Sequence, residues 1–310
     1  DYFEGVSSSL LAAHLALILE GAASTSEERE GKSFPPMACL RFRDLVKNYS
    51  VTLPERAVAY YNLLTVKKTP AEVLREMKAA AGEALEKALG RISEQNSVIG
   101  SRGGSASKTQ RFVPRVMDYA ELLARANTRN SDLAGLTERF LSSLPPSLDE
   151  RERCVETASY LLDLAGEKGP LIVTGFLPPY YPPRLNHGRT GGERAVLRAV
   201  ARLREDGKTF GMDITAADVF PGIMDLSYFG FQGDPDDLDA LGDNMPLWGN
   251  EYRFPLEDLK KLDIPVANFG PVGKDDHKNG ERIFLPYFLD TFPGLFRNFA
   301  RYLAEESAGD

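Results

Sequence analysis

An α/β fold is the class this sequence predicts, on two observations. Short apolar stretches of strand character recur at residues 56–66, 171–176 and 264–269, and amphipathic runs of helical period separate them. Of the 310 residues, 43% are hydrophobic, which is enough for more than one domain with its own core.

The elements follow in order. Ser7, Ser8 and Ser9 offer an N-cap, and Leu10, His14, Leu17 and Ile18 then recur at helical spacing to about Glu20. His14 lies on that apolar stripe, where a histidine packs rather than ligates. Residues 56–66 are rich in Val, Tyr and Leu and suit a pleated, mostly buried surface. Thr69-Pro70-Ala71-Glu72 then reads as a capping box with proline at the first helical position, opening a long helix with Leu74, Met77, Ala81, Leu85 and Leu89 on one face.

Residues 100–108 are small and polar, as in a flexible insertion. Lys108-Thr109 evokes a phosphate loop, but Ser107 stands where the glycine is required and no strand leads in, so no phosphate site is expected. Residues 118–166 read as helices, broken at Pro145-Pro146 and restarted by a capping box of Ser147 and Glu150. The strand from Leu171 ends in Pro178-Pro179-Tyr180-Tyr181-Pro182-Pro183, a stiff connector and the expected domain boundary. Arg184, Asn186 and His187 follow it in a Gly-bounded loop and are candidates for lining a cleft.

Beyond the boundary, Val196, Ala199, Val200 and Leu203 form one helix face and Arg194, Arg198 and Arg202 a basic row expected to face solvent. A short strand is expected near 209–214. Asp234, Asp236, Asp237 and Asp239 read as a mobile acidic loop, since the glycine and terminal glutamate of a calcium-binding loop are absent. Ile264, Val266 and Phe269 then predict a buried strand, which Gly270, Pro271 and Gly273 break to present His277. Leu295, Phe296, Phe299 and Leu303 give a last helix one apolar face.

Composition excludes several classes. A net charge of −8 and a pI near 5.2 weigh against phosphate backbones, so nucleic acid is not an expected partner. No stretch approaches the roughly 18 apolar residues of a membrane span, and the first residues lack the pattern of a signal peptide, so no membrane partner and a cytoplasmic location are expected. Cys39 and Cys154 are too few for a disulfide framework and lack the paired spacing of a zinc site.

Several blocks carry a resemblance. Met245-Pro246-Leu247-Trp248-Gly249, Pro255-Leu256-Glu257, residues 264–271, and Gly273-Lys274-Asp275-Asp276-His277-Lys278 with Glu281-Arg282 resemble the C-terminal portion of the RocB-like arginine-utilisation proteins, within the aminoacylase and carboxypeptidase family of di-zinc peptidases. Asp225-Leu226-Ser227-Tyr228, residues 60–65 leading into 69–72, and the 178–182 proline cluster support it.

The resemblance implies a two-domain hydrolase that cleaves an amide bond in an acylated amino acid or small peptide. Residues 1–183 would be a ferredoxin-like lid that dimerises, with a helical insertion at about 100–166, and residues 184–310 the C-terminal part of a catalytic domain holding two zinc ions. His277 matches the family's last zinc ligand, and Asp225 joins Arg184, Asn186 and His187 as a cleft candidate. The family's His-x-Asp motif, bridging aspartate, Glu-Glu pair and lid histidine have no counterpart here, so the general base is absent and the chain alone is expected to be inactive. A non-catalytic interaction module retaining the fold is the alternative. No residue identifies the substrate.

Overall fold

The computed structural model describes residues 5–29, 31–46, 51–102, 113–220 and 222–308. In chain order these form α1 (Ser8–Leu19), β1 (Glu28–Arg29), β2 (Lys32–Ser33), β3 (Ala38–Asp44), β4 (Ala57–Asn62), α2 (Pro70–Ser101), β5 (Arg115–Asp118), α3 (Tyr119–Arg129), α4 (Leu133–Ser143), α5 (Glu150–Ala165) and β6 (Leu171–Thr174). There follow α6 (Gly191–Thr209), α7 (Asp237–Asp243), α8 (Leu256–Leu262), β7 (Gly273–Lys274), β8 (Arg282–Ile283) and α9 (Phe292–Ala308). The structure is mixed α/β with helix predominant, and among the described residues the strands form four separate two-stranded sheets. No described helix is long and apolar enough to cross a membrane. Two compact units emerge, one of residues 1–180 with 234–254, the other of 181–233 with 255–310.

In the first unit, β3 and β4 pair antiparallel with a register shift between Cys39 and Arg41. The regular part of the expected 56–66 strand is confined to Ala57–Asn62. Its partner β3 alternates arginine with apolar residues, a pattern that gave no buried stripe to read. Parallel β5 and β6 are joined through α3, α4 and α5, as a parallel pair requires a long crossover. A core of Met117, Tyr119, Leu122, Ala126, Leu133, Leu161 and Ala165 lies beneath that crossover.

The Thr69 capping box is present as the sequence predicts: Thr69 Oγ1 accepts from Glu72 N at 3.3 Å and Glu72 Oε2 accepts from Thr69 N at 2.9 Å. This starts the 32-residue α2, whose Ala84, Leu85 and Ala88 pack against α1. The stripe on α1 is rotated from the expected one. Leu11, Leu15 and Leu19 are buried and Leu17 is 82% exposed, because one row of leucines spaced four residues apart faces α2 in place of the 10-14-17-18 set. His14 is half-buried.

Two expected loop features are corrected. The cap before α5 is Asp149, whose Oδ1 accepts from Glu152 N at 3.0 Å, so Ser147 lies outside the helix. The acidic run contributes to α7, whose Leu238 and Leu241 are buried and which packs on α2, so apolar anchoring overrides charge there. Residues 103–108 of the expected flexible insertion, and Thr109 after Lys108, lie outside the described residues.

In the second unit α6 and α9 pack together over Ala199, Leu203, Leu295, Phe299 and Tyr302. The basic row of α6 is not simply solvated. Arg198 Nε donates to Glu306 Oε2 at 2.6 Å, and Arg202 reaches Glu306 Oε1 at 3.0 Å and Glu305 Oε2 at 2.7 Å, so the row latches α6 to the end of α9. Arg202 also stacks 3.8 Å over the Tyr302 ring.

Neither strand expected in this unit forms. Residues 210–214 turn back so that Ile214 packs on Gly207, and residues 264–269 enter no sheet, tied to a neighbouring backbone by Ile264 N donating to Phe229 O at 2.7 Å, with Ile264 exposed and Val266 and Phe269 half-buried. A strand exists only where another backbone completes its hydrogen bonds. Here a side chain takes that part at Val266: Asn186 Oδ1 accepts from Val266 N at 3.2 Å and its Nδ2 donates to Val266 O.

Candidate functional site

The loop from Arg184 to Thr190 is built around one carboxylate. Thr190 caps α6, its Oγ1 accepting from Glu193 N at 3.1 Å, which places the Glu193 side chain under the loop just traversed. Glu193 Oε2 accepts from His187 N at 3.1 Å and Arg189 N at 2.8 Å, while Oε1 lies 3.3 Å from Arg184 Nη1 and 3.1 Å from Gln232 Nε2. Gln232 closes the ring, donating to Leu185 O at 2.9 Å and accepting from Leu185 N at 3.0 Å.

Burial alone would raise the Glu193 carboxyl's pKa. The N–H of Arg189, the Arg184 guanidinium and the N–H of His187 outweigh it and hold the carboxyl below its ordinary value. Position at a helix N-terminus favours the same charge state. The Arg184 side chain is wholly withdrawn from water, with Nη2 3.3 Å from Asp263 Oδ1 but out of hydrogen-bonding line, and with Nε unpartnered.

Of the cleft candidates, Arg184, Asn186 and His187 are thus brought onto one hydrogen-bonded framework, His187 exposed at its rim and Asn186 half-buried on Val266. Asp225 is exposed at the start of a 3-10 turn, Asp225–Phe229. Glu193, Gln232 and Asp263 complete the framework and were not among the candidates. The Thr190-x-x-Glu193 spacing is the sequence signal that could have found Glu193, because it has the form of a capping box.

His277 is held separately. Gly273 and Lys274 pair with Ile283 and Arg282, and the loop between them is fixed by Lys278 N to Asp275 O at 2.9 Å, by Glu281 N to Lys278 O at 3.0 Å, and by an Arg282–Asp275 ion pair. His277 has φ of 61°, and its backbone N–H donates to Glu281 Oε2 at 3.2 Å. The imidazole is exposed. Among the described residues no three or more His, Cys, Asp or Glu side chains come together as a metal would need. The loop presents one imidazole. It does not make a zinc centre.

Over 323 aligned residues the chain is 29% identical to the uncharacterized protein YqjN of Bacillus subtilis (strain 168), covering 99% of this chain and 55% of that protein. It is 22% identical over 306 residues to protein RocB of the same bacterium, covering 98% of this chain and 54% of RocB. The chain therefore spans about half the length of the curated relatives it matches. No family model and no solved structure matches it.

Proposed function

We propose that this chain is part of a metal-dependent amide hydrolase of the RocB-like kind, acting in the cytoplasm on an acylated amino acid or small peptide in arginine or amino-acid catabolism. The observation that carries the proposal is the distant similarity to RocB over nearly the whole chain, combined with an exposed imidazole on a pinned hairpin at the block that resembles the di-zinc family most.

In this reading residues 1–183 are a dimerising lid and residues 184–310 the C-terminal part of a catalytic domain. The described residues do not fit two zinc ions by themselves, so no catalytic step is derived through the metal. His277 is the ligand this chain contributes. The Arg184–Glu193 framework fixes the loop that carries Asn186 and His187, which in this reading line the substrate cleft, with Asp225 as a further lining candidate.

The reading is tested on a polypeptide of the relatives' full length that contains this chain. His277→Ala is expected to lower bound zinc and depress hydrolysis of N-acyl amino acids at least about 100-fold, since a lost ligand should cost no less than the 10–100-fold of a lost outer-shell partner. The 310-residue chain alone is expected to show no turnover with added zinc, because a general base is missing. Unchanged zinc content and rate in His277→Ala, or a chelator-sensitive turnover by the chain alone, would overturn it.

The second reading is a non-catalytic interaction module that keeps the fold; among the described residues no three His, Cys, Asp or Glu side chains come together. A full-length protein that dimerises yet binds no zinc would establish that reading instead.

A further inference from the structure

One asparagine in this chain is followed by glycine, Asn279 before Gly280, and it lies two residues from His277. The pair carries a chemistry of its own. A side-chain amide is open to attack by the backbone nitrogen of the next residue, and glycine, with no Cβ, leaves that nitrogen uncovered and its backbone free to turn toward the amide. Every other asparagine precedes a residue with a side chain.

The structure sets Asn279 apart from the asparagines held in place elsewhere. Asn186 is tied at both amide atoms to Val266, Asn244 accepts from Ala120 N at 3.1 Å and donates to Ala240 O at 3.0 Å, and Asn130 donates to Ala126 O at 2.8 Å and to Leu164 O at 3.0 Å. Asn62 accepts from Ala38 N at 3.1 Å, and Asn298 donates to Asp206 Oδ2 at 2.8 Å. Asn279 and Gly280 are both exposed, and among the described residues no hydrogen bond holds the side-chain amide of the one or the N–H of the other. They form the middle of a turn closed by Glu281 N donating to Lys278 O at 3.0 Å, one bond at a loop tip, where local opening costs little.

That turn bears on His277. Glu281 closes it with its N–H and accepts from His277 N at 3.2 Å with Oε2, so one residue links the turn to the histidine. His277 has φ of 61°, a left-handed conformation that a non-glycine residue keeps only while its neighbours hold it. Charge over residues 274–282 is balanced: Asp275, Asp276 and Glu281 match Lys274, Lys278 and Arg282.

We propose that Asn279 is a self-modification site, at which deamidation rebuilds the loop that presents His277. Gly280 N gives up its proton to solvent base and bonds to Asn279 Cγ; the Cγ–Nδ2 bond breaks, and Nδ2 takes a proton and leaves as ammonia, closing a cyclic imide. Water then opens the ring at either carbonyl. Opening at Cγ gives aspartate, whereas opening at the main-chain carbonyl gives isoaspartate, whose backbone runs through Cβ and is longer by one atom. A water is consumed and an ammonia released, with no oxidation. The longer backbone cannot keep Glu281 N on Lys278 O and Glu281 Oε2 on His277 N together, and the new carboxylate unbalances the charge of the loop. Nothing in this chemistry requires a metal or a substrate, so it stands apart from the hydrolase reading.

The test ages the 310-residue chain for days at pH 8, beside a synthetic peptide of residues 274–284, and maps both by mass spectrometry after digestion. The gain of about one dalton that marks an amide turned acid is expected at Asn279 ahead of every other asparagine, with isoaspartate among its products. Amide exchange at His277 and Glu281 is expected to speed up about tenfold in the aged protein. A Cβ at Gly280 would come no nearer than 3.4 Å to Asp275 Oδ2, so Gly280→Ala is accommodated and is expected to slow the gain several-fold. Freshly prepared Asn279→Asp, which adds the charge without lengthening the backbone, is expected to exchange at the unaged rate. No gain at Asn279 while the free peptide deamidates, a gain that Gly280→Ala leaves undiminished, or an aged protein with unchanged exchange would each overturn the proposal.

Discussion

Arg184 Nη1 lies 3.3 Å from Glu193 Oε1, with the two side chains 0% and 3% exposed. Desolvating two charges is costly, and the pair persists because Glu193 collects two further backbone N–H donors and an amide from Gln232. A buried pair of this kind contributes specificity of loop path more than net stability. It fixes where residues 185–189 run and thereby what Asn186 and His187 present.

Removing one partner leaves the other buried and uncompensated. Arg184→Met is expected to destabilise the protein by about 3–5 kcal/mol in urea unfolding, and the double variant Arg184→Met, Glu193→Leu by clearly less. Equal losses in the single and double variants would show that the two charges are not coupled.

The same pair sets a pH dependence. Because the Glu193 carboxyl is held below its ordinary 4.5, its contribution is complete above that value and is lost as pH falls through the lower folded value. Stability measured from pH 6 down to pH 3 is expected to fall more steeply in the wild type than in Glu193→Gln, which has no carboxyl to protonate. Parallel curves would refute the linkage.

Glu27 is expected to matter more than its place beside a short hairpin suggests. It is 8% exposed, and its carboxylate accepts from three consecutive backbone N–H groups, Val66 at 3.1 Å, Lys67 at 2.8 Å and Lys68 at 3.2 Å. Glu27→Ala strands these donors and is expected to cost about 2 kcal/mol or more, with a readout by thermal or urea unfolding. A change within a few tenths would mean that water replaces the carboxylate.

The local chemistry of this chain was legible and its long-range pairing was not. Thr69, Pro70 and Glu72 act through atoms three residues apart, so their capping box is written in the sequence and found in the structure. Val266 has equally strong local preferences and does not enter a strand, because pairing depends on a neighbour that no local pattern supplies. The basic row of α6 looked solvated for the same reason: Glu305 and Glu306 lie a hundred residues downstream of Arg198 and Arg202. At the candidate site, Arg184, Asn186 and His187 could be named from their loop, whereas Gln232 and Asp263 reach it from distant segments.

The two thiols are expected to separate cleanly in reactivity. Cys154 is fully buried, and burial pushes its pKa up to about 12, so almost no thiolate exists at neutral pH. Cys39 is half-buried on β3. Titration with a thiol reagent at pH 8 is expected to stop at one group in the native protein and reach the second only on unfolding. Two fast groups would contradict the packing around α5.

His277 allows the metal-ligand role proposed for it to be separated from a role in folding. Its φ of 61° lies in the left-handed region, which glycine adopts without strain, so His277→Gly is expected to leave the unfolding midpoint unchanged or slightly higher. In a full-length protein the same variant is expected to lose zinc. Lower stability with zinc retained would make His277 a residue of the loop alone.

Assembly through the first unit is open to a direct test on the whole chain, since α7 of that unit comes from beyond residue 183. Among the described residues β3 pairs with β4 alone, and Leu40 and Phe42 on β3 are 54% and 47% exposed. An apolar strand face beside an open edge invites a second strand, although the register shift at Leu40 and the reach of Arg41 and Arg43 to Glu152 of α5 limit which side is open. We expect a dimer by sedimentation velocity at about 10 µM, a level at which a standard two-fold interface is populated. Leu40→Lys with Phe42→Lys should return it to a monomer with unchanged circular dichroism, because like charges then face each other across the two-fold axis. A monomeric wild type, or a dimer that survives both substitutions, would remove this strand from the interface.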